Sequence, residues 1–327
     1  MRQIKFAVTL PSRHFAETRA MAEEAEALGF HSVSLDDHFF VRGLMETTQT
    51  PHLECYTTLA ALAAVTRRVR LVQTVTSMSY RNPALLAKMT STLDHISGGR
   101  LTVGVGAGWF REEYHAYNYP YPSNAERIEQ LAEGIKILKL MWTEDEPSWH
   151  GRYFKITKAY NYPKPVQKPY PPLLVGGSGK KVLEITAAEG DIANLIPPIK
   201  RGEIELTEAL KFDKAELGRR IGTLRGYAKA AGRSPDSIEL SGNSFVLAAR
   251  EKSAVEAMVQ ATAIAMGIND IEAARRSPQV LAGTVDEVTR ELRSRIETLG
   301  ITYFFLSFLA QDTLELFATE IMPEFAS

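Results

Sequence analysis

The stretch from Thr66 to Trp109 limits the possible folds more than any other part of the chain. Val69–Val75 and Leu101–Gly106 are apolar runs of β-formers, too continuous for a sheet with one wet face, as parallel strands buried on both sides require. Between them Pro83–Ile96 reads as a helix. Pro83 suits a first helical turn, and Gly98-Gly99 ends the helix because glycine takes positive φ without strain. The unit is βαβ. Each strand leads into a polar segment containing Gly or Ser, and ligands of parallel α/β folds sit at those C-terminal ends.

The same alternation continues in both directions. Ile4–Leu10, Ser32–Leu35, Val69–Val75, Leu101–Gly106, Leu173–Val175, Ile192–Ile196, Ile238–Ala248 (bent near Gly242) and Tyr303–Phe308 read as eight strands. Helical patterns follow them at His14–Leu28, Tyr56–Val65, Pro83–Ile96, from Ser123 to Met141, Lys180–Glu189, Gly202–Ala231, Lys252–Val280 with a break near Gly267, Thr284–Leu299 and Asp312–Ile321. Ser123 with Glu126, and Thr284 with Glu287, have capping-box spacing. The expected fold is α/β, a closed (β/α)₈ TIM barrel, with a doubly wound open sheet as the alternative because strand count does not prove closure.

Insertions are expected after strands 2 (Phe39–Leu53), 4 (Phe110–Pro122) and 7. Loops of this length in a compact fold tend to be functional. Thr143–Pro172 differs in kind. Trp149–Phe154 looks like a hairpin, and five prolines between Pro163 and Pro172 mark an extended segment. It reads as an insertion before strand 5, lying over the barrel, so that 1–327 forms one domain.

A net charge of −1 leaves no electrostatic footprint for nucleic acid or an anionic membrane. Cys55 stands alone, so no internal disulfide is possible. The opening MRQIKFAVTLPS lacks the apolar core of a secretory signal, and no apolar run reaches membrane-spanning length. A soluble cytoplasmic protein is the expectation.

Four clusters carry candidate chemistry. Gly104-Val105-Gly106-Ala107-Gly108 fails as a dinucleotide fingerprint, since the third glycine would fall at Trp109 and no helix start follows to hold a pyrophosphate. Its small residues either let a flat group approach the backbone or serve tight strand packing. Gly176-Gly177-Ser178-Gly179, followed by Lys180 and Lys181, could hold phosphate on free N–H groups and the Ser178 hydroxyl, or could be an ordinary turn. Asp36-Asp37-His38 is either a histidine oriented by a carboxylate toward a cofactor or a structural pair holding the loop. Gln73–Ser77 either lines a pocket or caps the barrel. The histidines are too scattered for a metal site, and the chain has no G-x-S-x-G elbow or Cys–His pair for hydrolase chemistry.

Taken together, GFHSVSLDDH, TRRVRLVQTV, RNPALLAK, LDHISGGRLTVGVGAGW, GRYF, PKPVQKPYPPLLVGGSG and, more weakly, GDIANL resemble the luciferase-like monooxygenase superfamily. The DDH and GVGAGW patterns are most similar to its branch using the deazaflavin coenzyme F420. The resemblance implies a (β/α)₈ fold with a tricyclic ring at the strands' C-terminal ends. Asp37 and His38 would lie beside that ring, Thr74-Val75 would form a non-prolyl cis peptide backing it, and Gly106, Ala107 and Gly108 would face it. Gly176, Gly177 and Ser178 would meet the phosphate. Related dehydrogenases place a proton-donating Glu where this chain has Trp109, so Glu113 or Glu112 would take that role and Trp109 would wall the substrate side.

The implied activity is hydride transfer between F420 and a small organic substrate, with His38 and Asp37 at the reacting centre. The alternative is a two-component monooxygenase using reduced FMN from a separate reductase and molecular oxygen. A flavin-binding protein without turnover is the second alternative. The family suggests a homodimer.

Overall fold

The computed structural model describes residues 2–41, 47–199, 202–203 and 209–326. Eight parallel strands close a ring: Lys5–Thr9 (β1), Ser32–Leu35 (β2), Arg70–Gln73 (β3), Leu101–Gly106 (β4), Leu173–Gly176 (β5), Ile192–Asn194 (β6), Glu239–Ala249 (β7) and Ile301–Phe308 (β8). Each pairs with the next, and β8 returns to β1 through Lys5 opposite Tyr303. The pairing of Glu239 in β7 with Ile192 in β6 completes the circle. The open-sheet alternative is therefore ruled out.

Alternation along the strands gives two apolar layers. Ala7, Val72, Leu174, Ile192, Tyr303 and Phe305 form a small cluster inside the ring. Their neighbours, such as Phe6, Leu71, Val103 and Leu173, pack outward against the helices. Both faces of each strand are thus dry, which is why the strands lack a polar period. The helix Pro83–Ser97 starts at its proline and stops on Gly98 at φ 66°, and both expected capping boxes are formed.

Several boundaries depart from the sequence expectations. Val69–Val75 is not one strand: β3 stops at Gln73, the Thr74–Val75 peptide is cis, and Thr76–Ser77 then pairs with Val105 and Gly106. Val280–Thr284, expected as the connection between a helical excursion ending at Val280 and a helix starting at Thr284, is a strand alongside Phe245–Ala249 outside the ring. Its β-branched ends outweigh the helical pattern before it, which ends at Arg276. The loop Phe110–Pro122 contains a short helix, Arg111–Ala116. The long helix expected from Gly202 begins at Lys214, where the Asp213 side chain accepts from the Glu216 N–H. Ala209 and Leu210 before it are also helical, so the expected helix is interrupted around Phe212 and Asp213. Residues 204–208 of that expectation, and 42–46 of the Phe39–Leu53 loop, lie outside the described residues.

The Thr143–Pro172 segment contains the hairpin, with Trp149 opposite Ile156. It packs along the helices Pro83–Ser97 and Asn124–Thr143. Gln167 reaches Asp94, the Leu101 carbonyl and Arg70. It covers the flank and the N-terminal end of the barrel, away from the strands' C-terminal ends. Among the described residues no helix is long and apolar enough to cross a membrane.

Candidate active site

A cavity of about 210 Å³ opens at the C-terminal ends of β2 to β6. Asp37, His38, Thr74, Val75, Gly106, Ala107, Gly108, Gly176, Gly177 and Ser178 all line it, and so does Trp109. One sequence candidate does not. Glu113 is fully buried behind His38 and is not among the lining residues.

The glycines show the tight packing that was one of the two expectations for them. A Cβ on Gly104 would sit 1.8 Å from the Gln73 carbonyl oxygen, and one on Gly106 or Gly176 would sit 2.8 Å from a Val75 methyl. They are small because the 73–75 bulge presses into them. Tight packing accounts for Gly104 and Gly106, and Gly106 also lines the cavity. Gly108 adopts φ +78°, and its missing side chain leaves room for the Ser77–Tyr114 hydroxyl pair, 2.7 Å apart. Val75 itself is the surface that faces the cavity.

His38 is held by a carboxylate from another element. Its Nδ1 lies 2.9 Å from Glu113 Oε2, and its ring meets Trp109 and Phe110 edge-on. Tyr80 donates its hydroxyl to the same Glu113 oxygen, and the Phe39 N–H donates to the other. Burial alone would lower the His38 pKa. The hydrogen bond to Glu113 and the nearby carboxylates of Asp36, Glu113 and Asp37 outweigh it and raise the value above that of an ordinary histidine.

Asp37 does not orient His38. Its carboxylate forms a bidentate pair with Arg81, at 2.5 and 2.9 Å, and Arg81 also reaches Glu54 and stacks 4.6 Å from the Tyr56 ring centre. Burial raises the Asp37 pKa, with Arg81 opposing it. Asp36 binds the His52 ring at 3.0 Å. Of the three residues in the DDH run, then, Asp36 and Asp37 anchor the loop, and His38 brings to the cavity a nitrogen, Nε2, that has no partner among the described residues.

At the other end of the cavity the Ser178 hydroxyl donates to the Ile196 carbonyl, and the Gly177 N–H to the Asn194 carbonyl. Arg220 donates to the Ser178 carbonyl. The serine hydroxyl thus ties β5 to β6. What remains for an anion is the start of the helix Lys180–Glu189. Its N-cap, Gly179, offers no side-chain acceptor, and its first turn holds no acid. The free N–H groups of such a turn are ready to bind a phosphate.

Sequence reading missed Tyr80, Arg81, Glu54 and the apolar wall Pro197-Pro198-Ile199. Tyr80-Arg81 lies just before the Asn82 cap, and that position at a strand's C-terminal rim was the available signal. The Glu113–His38 pair spans 75 residues and has no local signature.

Residues 4–300 match the family described as luciferase-like monooxygenase. The chain is 32% identical over 173 residues to the FMNH(2)-dependent dimethylsulfone monooxygenase of Pseudomonas putida, covering 53% of this chain and 46% of that protein. It is 24% identical over 318 residues to an F420-dependent glucose-6-phosphate dehydrogenase of Intrasporangium calvum, covering 91% of each. Matches to several other curated relatives span half to about three-fifths of their length, as with the 50% of the Amycolatopsis mediterranei F420-dependent glucose-6-phosphate dehydrogenase and the 60% of a Mycobacterium tuberculosis protein. In structure it aligns over its full length with an F420-dependent secondary alcohol dehydrogenase (TM-score 0.82, 20% identity, all of that chain covered). A monooxygenase from Streptomyces bottropensis aligns over 99% of this chain and 100% of its own (TM-score 0.79, 24% identity). At such identities these structural likenesses speak for the fold.

Proposed function

We propose that this chain, which belongs to the luciferase-like monooxygenase family, is an oxidoreductase that works with the deazaflavin coenzyme F420 on a small organic substrate. The observation that carries this reading is the shape of the cavity. One end is backed by the Thr74–Val75 bulge and flanked by His38, and the other ends on an uncapped helix start. A tricyclic ring with a phosphate-bearing tail fits both ends at once. FMN shares that outline, and the 318-residue likeness to an F420-dependent dehydrogenase is what favours the deazaflavin.

When bound, the deazaflavin supplies two-electron hydride chemistry, because it carries carbon where a flavin carries N5. The chain's own residues do the rest. Val75 backs the ring, and the N–H groups at the start of the helix Lys180–Glu189 hold the phosphate. His38 presents Nε2 to the reacting centre. Trp109 and Pro197–Ile199 wall the substrate side and keep water away. Titrating the purified protein with F420 and with FMN, read by fluorescence quenching, tests the reading. Saturable F420 binding, with FMN binding at least about tenfold weaker, is the expected result. Binding of FMN alone would overturn it.

The second reading is a monooxygenase that uses reduced FMN and oxygen with a partner reductase. The 32% identity of 173 residues to an FMNH(2)-dependent monooxygenase favours it. Oxygen consumption by the FMN-loaded, reduced protein would select it.

A further inference from the structure

We propose that Glu113 is a positioning residue that fixes the proton of His38 on Nδ1, leaving Nε2 as the ring atom that works in the cavity, with Tyr80 as a counterweight on the same carboxylate oxygen. The assignment rests on the reading of this cavity as the active site. Its physical basis is the set of donors around one buried group.

Glu113 is fully buried, and the donors that reach it among the described residues are His38 Nδ1 and the Tyr80 hydroxyl on Oε2, and the Phe39 N–H on Oε1. No Lys or Arg among the described residues pairs with it; Arg81 is engaged by Asp37 and Glu54. A carboxylate taken out of water needs a counter-charge or strong donors. Here the imidazole is the group placed to supply that charge. A neutral imidazole with Nδ1 as acceptor would set two lone pairs against each other, so Nδ1 carries hydrogen in either charge state.

Nε2 is then acid or acceptor according to pH, and the change depends on how strongly Oε2 attracts the imidazolium. The other groups facing His38 are Asp36 and Asp37 on its own strand end, the former tied to His52 and the latter to Arg81, with Trp109 and Phe110 packed on the ring. Tyr80 acts on the same oxygen in the opposite sense. By donating to Oε2 it draws off negative charge that would otherwise face His38. The three elements that meet here, the end of β2, the turn Met78–Tyr80 and the helix Arg111–Ala116, thus set one proton equilibrium between them.

The test is a histidine NMR titration of the cofactor-free protein, full chain, comparing wild type with Glu113→Gln and Tyr80→Phe. Wild-type His38 is expected to titrate above an ordinary histidine. E113Q should increase its acidity by about tenfold or more, and Y80F should decrease it by a smaller factor. Opposite signs are the signature, because a merely structural role moves both variants the same way or neither. An unchanged His38 titration in E113Q, or shifts of the same sign, would overturn the assignment. If E113Q loses its fold, judged by circular dichroism, the Y80F shift decides alone. Failure of the F420 titration with the opposite-sign shifts intact would refute the cofactor reading and leave the dyad standing.

Discussion

A histidine stands at each end of β2. His31 precedes the strand at the barrel's N-terminal end, and His38 follows it at the C-terminal end. The two lie seven residues apart in opposite surroundings. His31 packs edge-on against Tyr303, and burial, with Lys5 and Arg70 nearby, lowers its pKa to about 4. His38 faces three carboxylates that raise its pKa.

The contrast extends to the groups around them. At the N-terminal end Lys5 pairs with Glu239 at 2.8 Å, Tyr303 meets the Ser32 hydroxyl at 2.6 Å, and Arg70 binds Gln167 and the Leu101 carbonyl. These polar groups satisfy one another and close the barrel. At the C-terminal end Asp36, Asp37 and Glu113 are also paired, yet His38 Nε2 and a helix start are left facing a cavity. Both ends are polar. What distinguishes the C-terminal end is the hydrogen-bonding capacity left facing the cavity.

The largest expected effect is on turnover. His38→Ala should lower kcat by about 10²-fold or more, in the range of a lost general acid or base, with a much smaller effect on F420 binding. His31→Ala should leave both within about twofold. Equal losses from the two variants in steady-state assays would erase the contrast. Next comes Gly106→Ala, whose Cβ would push on Val75. Denaturant unfolding should show about 1–3 kcal/mol of destabilisation, and F420 affinity should fall with it as the bulge shifts.

The pH dependence of stability should separate the two histidines by sign. His31 has a depressed pKa, so between about pH 6.5 and 4 the unfolded chain binds a proton that the folded protein refuses. Stability is lost as pH falls through that window, and His31→Gln should recover about 1–2 kcal/mol at its acid end. His38 has a raised pKa, so its contribution is complete below about pH 6.5 and is lost as pH rises through its folded value. Urea titrations at several pH values check both signs. The smallest effect is Tyr303→Phe, which removes the bond to Ser32. It should cost about 1 kcal/mol and leave turnover unchanged.

The barrel was legible because burial on both faces removes the polar period from the strands, as in Val69–Val75 and Leu101–Gly106. The helix ends were legible where chemistry is local, as at Pro83, Gly98 and Ser123. The residues lining the cavity followed from their places at strand ends and from the family resemblance. The reasons for them did not follow. Gly106 is small because of Val75, which reaches it only after the chain turns at Thr74–Val75. Ser178 spends its hydroxyl on Ile196, a carbonyl from the next strand. Glu113 rather than Asp37 holds His38, since the adjacent carboxylate is taken by Arg81. Each of these is a contact between elements, and spacing along one element carries no record of it. Val280–Thr284 was missed for the same reason, its partner being the far half of β7.

The most direct test of the account follows both histidines at once. With F420 added to histidine-labelled protein, the NMR signals of His38 should shift in proportion to occupancy, and those of His31 should stay in place. Saturation of the cofactor with His38 unmoved, or with His31 moving in its stead, would contradict the claim that the C-terminal end of the barrel holds the cofactor.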